Sequence, residues 1–309
     1  MLVMDSTWNA GGHRFARWTP MSRITIRRQK VLLEAQVGDA LGRNCMHLKG
    51  RGGMKRFIRI AYHMSRRYPF VACFDVLHFY ESIKHDILLR EAETLGATGK
   101  QLEFIRDYIS LPDIFNTGIG LIAGSAASPL LGAIYLAPLD RAMVCMEHRR
   151  HIVYRRYMDD FFIFAKSKWK LREAIKLMYQ VLDELQVGIH RMSKRFIGRS
   201  ESGFDVLGYS VASNRALLPS MQSIARLNAH IHQLKEQGAN DVRLRQYVLR
   251  WVQWLLGGLP DATVEMGVAL PVLWHYCLPC GEERLSLLQT HHQPRCGTAE
   301  DWVNFGDGV

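Results

Sequence analysis

The sequence predicts an α+β fold in which antiparallel strands are covered by helices. Residues 70–76 read FVACFDV, a short apolar run of β-forming residues that is typical of a buried strand. Residues 151–157 and 161–166 are two similar runs on either side of a short polar turn, which predicts a hairpin. The segments before, between and after these strands have apolar residues at helical spacing. This order of helices, strand, helices, hairpin and helices is typical of the α+β class.

The remaining elements follow from periodicity and from helix-breaking residues. Residues 1–24 give no regular pattern and are expected to be irregular. Ser128 followed by Pro129 is a favoured start for a helix, because serine caps the first turn and proline fits within it. The sequence predicts helices over 25–41, 54–67, 82–95, 99–110, 128–147 and 168–187, a strand over 204–209, and two helices within 221–257 that break near Gly238.

The composition is that of a folded, basic protein. The 309 residues are 48% hydrophobic and 22% charged, which argues against long disorder. The net charge of +11 suggests nucleic acid or an acidic membrane as a partner. No apolar run reaches the about 18 residues that a membrane helix needs, and the first residues lack the pattern of a signal peptide. We therefore expect a cytoplasmic protein that binds no membrane.

Three aspartates are the candidates for chemistry. Asp159 and Asp160 lie at the predicted turn within the apolar run YRRYMDDFFIF, and Asp75 ends the predicted strand. Such carboxylates are costly to bury unless a cation neutralises them. If the strand lies beside the hairpin, Asp75 faces Asp159 and the oxygens suit Mg²⁺. Two such ions about 4 Å apart can clamp the attacking and leaving oxygens of a phosphoryl transfer. A polar turn, where Asp is common, is the alternative.

Four stretches together resemble the motifs of reverse transcriptases, in the family's order and spacing over about residues 25–257. YMDD at 157–160 resembles the catalytic Y-x-D-D motif, and FDVLHFYESIKHDIL at 74–88 resembles the first palm motif. GLIAGSAASPLLGAIYLAPLD at 120–140 resembles the second motif, and MSKRFIGRSESGFDVLGYSV at 192–211 resembles the lysine-bearing motif with the primer grip. The likeness is greatest to bacterial group II intron-like enzymes, including stand-alone ones from defence and retroelement loci.

The resemblance implies a right-hand polymerase architecture. It places abbreviated fingers at 1–69, a palm with an antiparallel sheet at 70–210, a helical thumb at 211–260 and a tail at 261–309. SRITIRR at 22–28 would be the remnant of a strand pair in the fingers.

The resemblance also implies roles near the metals. Asp75 and Asp159 would hold two Mg²⁺ ions, with Mn²⁺ as an alternative, and Asp160 would be an accessory ligand. The Val76 carbonyl would complete one metal's shell. Tyr80 would be the steric gate that excludes a 2′-hydroxyl, with a core aromatic as the alternative.

Further roles follow for nucleotide and nucleic acid. Gly124, Ser125 and Ala126 would pass beneath the new base pair, although Ala123 stands where many relatives have Gln. Lys194, or alternatively Arg195, would supply a proton or positive charge to pyrophosphate. The residues expected to contact primer or template are Lys49, Arg51, Lys55, Arg56, Phe204, Leu207, Gly208 and Tyr209. For the basic residues the alternative is a solvated helix face.

The tail contains CLPC at 277–280, followed by His291, His292 and Cys296. The second half of this set lacks a standard ligand spacing, so we expect no zinc there. A tail that contacts RNA or a partner subunit is the alternative to a zinc site, which could otherwise use Cys277, Cys280, one histidine and Cys296.

The function implied by the resemblance is RNA-directed DNA synthesis from dNTPs on a primer 3′-hydroxyl. The expected partners are an RNA template, a dedicated non-coding RNA, the DNA product, and either a partner protein or a second copy of the chain. The setting would be antiphage defence or a retroelement. An RNA-making polymerase is disfavoured by Tyr80. An RNA-binding maturase-like or structural subunit is disfavoured by the three aspartates.

Overall fold

The computed structural model describes residues 2–10, 13–113, 115, 117–150, 152–189 and 195–257. The chain divides into two compact units. The first comprises Met1–Phe57 and Ala72–Arg195, and the second comprises Ile58–Val71 and Phe196–Val309. These borders are not those expected for fingers, palm and thumb, and the assignment of those names stays a prediction.

The described residues form an α+β fold, as predicted. The helices are α1 (Pro20–Val37), α2 (Gly53–Ser65), α3 (Phe79–Ser82), α4 (His85–Thr94), α5 (Lys100–Ser110), α6 (Ser128–Tyr135), α7 (Ala137–Arg150), α8 (Lys168–Glu184), α9 (Met221–Glu236) and α10 (Asp241–Leu256). The strands are β1 (Met4–Ala10), β2 (His13–Trp18), β3 (Phe70–Asp75), β4 (Ile152–Tyr157), β5 (Asp160–Ala165), β6 (Phe196–Arg199), β7 (Phe204–Val206), β8 (Tyr209–Val211) and β9 (Leu218–Pro219).

The central sheet of the first unit has the strand order β4–β5–β3. β4 and β5 are antiparallel, with Ile152 opposite Ala165 at one end and Tyr157 opposite Asp160 at the other. Residues 161–165 of the middle strand β5 are all buried, as their continuous apolar sequence requires. The predicted hairpin and the predicted strand at 70–76 are confirmed. The sheet order places β3 beside the strand that carries Asp160.

Helices α6 and α7 replace the single helix predicted over 128–147. α6 has Pro129 in its first turn, as predicted, but it ends at Tyr135. The prediction that Ser128 caps this helix is wrong, because the N-cap is Ala127 and the Ser128 hydroxyl bonds the Ile122 carbonyl and Tyr108 instead. Within the described residues no single helix is both long and apolar enough to span a bilayer. Ser128–Tyr135 and Ala137–Arg149 meet that test of length and composition as a pair bent by 54°.

The prediction that residues 1–24 are irregular is wrong. β1 and β2 form an antiparallel hairpin in which Trp8 stacks on Phe15 with ring centroids 5.7 Å apart. The side chain of Thr19 then caps α1 by accepting a hydrogen bond from the Ser22 amide. Residues 22–28 are therefore helical, and their interpretation as the remnant of a strand pair is also wrong.

The second unit contains the three-stranded sheet β7–β8–β9 and the helical pair α9–α10. The single strand predicted over 204–209 is wrong, because Leu207 and Gly208 have positive φ angles of 46° and 85° and turn the chain back. The predicted break near Gly238 is confirmed by its φ of 76°. The cysteines and histidines of the tail lie outside the described residues.

Candidate active site

The three aspartates named from the sequence come together in the first unit. Asp75, Asp159 and Asp160 each offer a carboxylate oxygen, and these oxygens lie within 4.8 Å of one another. Asp75 is buried at 4% exposure, and the other two are half-buried. The amide of Val76 donates to the backbone carbonyl of Asp159 at 3.4 Å, which fixes the end of β3 against the turn. This donor set consists only of hard oxygen atoms and therefore fits a divalent cation such as Mg²⁺.

The turn that carries the aspartates is a tight two-residue connection. Tyr157 pairs with Asp160, so Met158 and Asp159 form the loop between the strands. Met158 has a φ of 57°, in the left-handed region where such turns normally place glycine, asparagine or aspartate. A methionine there costs about 1–3 kcal/mol and persists only where neighbouring groups impose the conformation.

Tyr80 lies next to this cluster. Its ring stacks on Phe79 with centroids 5.6 Å apart, and it is half-buried, whereas Phe79 is buried at 5% exposure. Burial raises the pKa of Tyr80, and the negative charge of Asp159 raises it further. The phenol is therefore neutral at ordinary pH. The ring is thus half-exposed near a candidate metal ligand, and its role as a steric gate stays a prediction.

The loop at 124–128 is held by several contacts, one of which favours glycine. Gly124 has a φ of 73°, and a Cβ atom there would come within 3.4 Å of the Phe15 ring. The Ala123 amide donates to the Arg14 carbonyl at 2.7 Å. Ser128 donates to the Ile122 carbonyl and pairs with the Tyr108 hydroxyl at 2.8 Å. The loop therefore has a fixed shape set by the N-terminal hairpin and by α5.

A cleft of about 530 Å³ opens beside this loop, between the N-terminal hairpin and α1. Residues 124–126 form one wall, and Trp8, Arg17, Arg23 and Arg27 lie on the others together with Asp5. The three arginines and Trp8 are exposed, with Trp8 at 46%. None of the aspartates of the metal cluster lines the cleft.

Sequence reasoning did not assign this cleft. The sequence pattern indicates the cleft only weakly, because its arginines lie in a hairpin and a helix that the pattern did not place together.

The basic residues proposed for template binding have different surroundings. Lys49 and Arg56 are exposed. Arg51 donates to the carbonyls of Gly38 at 2.7 Å and Leu41 at 3.0 Å, so its guanidinium holds the end of α1. Lys55 is half-buried at the start of α2. Contacts of these four residues with template remain predictions.

The residues proposed for the primer grip lie in the second unit. Phe204 and Tyr209 are buried, and the Tyr209 hydroxyl donates to the Leu255 carbonyl at 2.8 Å. Leu207 and Gly208 form the half-buried turn between them. A Cβ atom at Gly208 would come within 2.9 Å of the Trp254 ring, so this turn needs glycine. Lys194 lies outside the described residues, and its role remains a prediction.

Three buried polar residues that the sequence did not single out support the turn that carries Asp159 and Asp160. Arg156 is fully buried, and its Nε donates to the Asp140 carboxylate at 2.8 Å. Burial alone lowers the pKa of Arg156, but the Asp140 charge raises it well above its usual value. The Tyr154 hydroxyl also donates to Asp140, at 2.7 Å. An arginine inside an apolar strand was the available signal, because such a residue needs a buried anionic partner.

Comparison with known proteins shows the family. Residues 17–211 match the family described as reverse transcriptase (RNA-dependent DNA polymerase). The chain belongs to this reverse transcriptase family, and the resemblance drawn from the four motifs is confirmed.

One curated relative is the retron Ec48 reverse transcriptase of Escherichia coli. It is 24% identical over 164 residues, which are 52% of this chain and 38% of the relative. The chain thus matches well under half of that protein's length. This likeness supports a prokaryotic reverse transcriptase of the retroelement or defence type.

Two solved structures align with the chain, and the first of them has the same kind of fold. The apo telomerase of Candida tropicalis aligns with a TM-score of 0.50 at 11% identity, over 79% of this chain and 50% of that chain. The RNA-dependent RNA polymerase of BmCPV in its elongation state aligns with a TM-score of 0.48 at 11% identity, over 74% of this chain and 24% of that chain. At such identities the first likeness concerns the fold alone.

Proposed function

We propose that the protein is an RNA-directed DNA polymerase that adds dNTPs to a primer 3′-hydroxyl. The observation that carries this proposal is the convergence of three carboxylates within 4.8 Å in a chain of the reverse transcriptase family. Asp75 and Asp159 would hold two Mg²⁺ ions, Asp160 would lie beside them, and the Val76 carbonyl would complete one shell. Such a pair of ions, when bound, stabilises the attacking and leaving oxygens of a phosphoryl transfer.

Primer extension by the purified chain tests this proposal. An RNA template with an annealed DNA primer, dNTPs and Mg²⁺ should give extended DNA, and a chelator should stop the reaction. The competing proposal is a maturase-like or structural subunit that binds RNA without polymerising. RNA binding without extension, over a range of primers and of Mg²⁺ and Mn²⁺ concentrations, would support that alternative.

We further propose that Tyr80 selects deoxynucleotides. Its half-exposed ring beside Asp159 would occupy the space that a 2′-hydroxyl needs. Replacing Tyr80 with alanine should therefore raise the incorporation of NTPs relative to dNTPs by at least about tenfold, the effect of removing about 1.4 kcal/mol of discrimination. The ratio of kcat/KM for the two nucleotides measures this change.

Tyr80→Phe is the matched control for that experiment, because it keeps the ring and removes only the hydroxyl. It should retain the choice of sugar. If Tyr80→Ala leaves the ratio unaltered, the ring is a core aromatic and not a gate.

The basic cleft beside residues 124–126 fits single-stranded template ahead of the copied base. None of the metal-binding carboxylates lines the cleft, so the reacting phosphates of an incoming nucleotide would lie outside it. Three guanidinium groups, from Arg17, Arg23 and Arg27, suit phosphates, and the exposed Trp8 offers a face for stacking a base. Within the described part of the chain, none of these three guanidinium groups forms an ion pair.

Charge reversal at Arg27 tests the cleft. Arg27→Glu should weaken binding of a primer–template with a long single-stranded 5′ template overhang by about tenfold at low salt, because one phosphate contact becomes repulsive. The same variant should bind a blunt duplex as the wild type does.

Arg28→Glu is the matched control, since Arg28 is the next residue of α1, is exposed and does not line the cleft. Equal losses for the two variants would show a general effect of charge and would remove the cleft from the template path.

The biological setting is proposed from the relatives alone. A dedicated structured RNA as template, with either a partner protein or a second copy of the chain, fits a bacterial antiphage or retroelement system. Sequencing the nucleic acid that copurifies with the protein tests this. One dominant RNA species is the expected result, whereas an unselective mixture of cellular RNA would contradict it.

A further inference from the structure

The turn that carries Asp159 and Asp160, called here the catalytic turn, contains one residue that is held through both its amide and its carbonyl. Met158, whose left-handed conformation requires outside support, has its amide and its carbonyl engaged by two different side chains. Its N–H donates to Nδ1 of His47 at 3.0 Å. Its carbonyl accepts from Nη1 of Arg156 at 2.7 Å. These two bonds fix the orientation of the residue immediately before Asp159.

The protonation state of His47 follows from its partners. An amide N–H can only donate, so Nδ1 must be the accepting nitrogen. The proton of a neutral ring is then on Nε2, which lies 3.0 Å from the Pro129 carbonyl and donates to it. Burial, followed by the charge of Arg156, lowers the pKa of His47 to about 4, in agreement with a neutral ring. The histidine therefore links the start of α6 to the catalytic turn.

The segment that carries His47 is itself joined to β4. The Arg156 amide donates to the Asn44 carbonyl at 2.9 Å, and the Met46 amide donates to the Arg156 carbonyl at 2.7 Å. Cys45 forms an isolated parallel bridge with Arg156. His47 consequently extends from a rigid edge alongside β4, and its ring meets that of Tyr157 edge-on with centroids 6.0 Å apart.

We propose that His47 is a positioning residue for the metal-binding turn, acting through the backbone amide of Met158. This inference rests on the proposed polymerase function. The hydrogen bond keeps Met158 left-handed and thereby sets the direction in which the Asp159 and Asp160 carboxylates point. His47 itself contacts neither a metal ion nor substrate.

Paired variants of nearly equal size separate the hydrogen bond from packing. His47→Asn places an accepting oxygen near the position of Nδ1, whereas His47→Leu has the same branched shape without an acceptor. His47→Leu should reduce kcat and weaken Mn²⁺ binding by about 10- to 100-fold, the range found when groups that orient a metal site from outside are lost. His47→Asn should recover most of both, and KM for primer–template should stay unchanged in each variant.

Mn²⁺ binding measured by electron paramagnetic resonance gives a readout that does not depend on polymerisation. His148→Leu is the control, because His148 is an exposed histidine of α7, and it should behave as the wild type. If His47→Leu does not fold, His47→Phe keeps the ring, lacks the acceptor and takes its place in the comparison.

The outcomes separate this inference from the proposed function. A wild type that neither extends primers nor binds Mn²⁺ would contradict the polymerase proposal itself. An active wild type with equal losses in the Asn and Leu variants would show that His47 acts through packing alone. No loss in the Leu variant would remove His47 from the site.

Discussion

Replacing Asp159 with alanine should abolish DNA synthesis while leaving the fold and RNA binding intact. Asp159 contributes one of three carboxylates within 4.8 Å and is half-buried at the turn, so its removal takes a ligand from the candidate cation site without opening the core. Metal ions supply several kcal/mol of transition-state stabilisation. A loss of about 4 kcal/mol lowers the rate by on the order of 10³-fold, which sets the smallest effect expected.

The measurement is single-nucleotide extension of a primer on an RNA template, with RNA affinity and circular dichroism measured on the same preparation. Asp183→Ala is the matched control, since it removes the same carboxylate from an exposed position in α8. Asp183→Ala should retain full synthesis. An Asp159→Ala variant that extends primers at the wild-type rate would disprove the catalytic assignment.

The three aspartates could be predicted because the sequence around each of them has a recognisable local pattern. Asp75 ends an apolar strand, and Asp159 with Asp160 interrupts an apolar hairpin, so the side-chain pattern gives both positions. The family motifs then supplied the one non-local fact, that β3 lies beside the hairpin.

The contacts by which His47 and Arg156 support the catalytic turn could not be predicted in the same way. His47 binds a backbone amide 111 residues away, and such a bond places no demand on the identity of its partner residue. The apolar neighbours of Arg156 in the sequence indicate that it needs a buried anionic partner, but several acidic residues could be that partner. Only the contact between α7 and β4 selects Asp140.

The N-terminal hairpin escaped prediction for a different reason. Strands are read from alternation between a buried and an exposed face. In β1 no residue is buried, and in β2 only Trp18 is buried, so no such alternation exists. The cleft that the hairpin forms with α1 could therefore not be predicted, although its arginines are evident in the sequence.

Breaking the buried pair of Asp140 and Arg156 should cause the largest single loss of stability near the site. Both side chains are almost fully enclosed, at 1% and 0% exposure. Asp140→Ala would leave the Arg156 guanidinium charged, buried and without its carboxylate. Removing one partner of such a pair costs about 3–5 kcal/mol, a large share of the about 5–15 kcal/mol that stabilises a typical domain. Urea unfolding followed by circular dichroism measures the free energy of unfolding.

The neighbouring pair of Glu147 and Arg155 provides the comparison, because it joins the same helix and strand at 2.9 Å with side chains 22% and 24% exposed. Glu147→Ala should cost less, about 1–2 kcal/mol, since water partly screens and solvates that pair while the Glu147 carboxylate also accepts a hydrogen bond from the Asn44 side chain at 2.8 Å. The double variant Asp140→Leu/Arg156→Met should recover stability, because apolar side chains can replace a buried ion pair at little cost. It should not recover synthesis, because the Met158 carbonyl loses the Arg156 donor that holds the catalytic turn. Equal destabilisation by Asp140→Ala and Glu147→Ala would refute the role of the buried pair, and full synthesis by the double variant would show that the turn does not need Arg156.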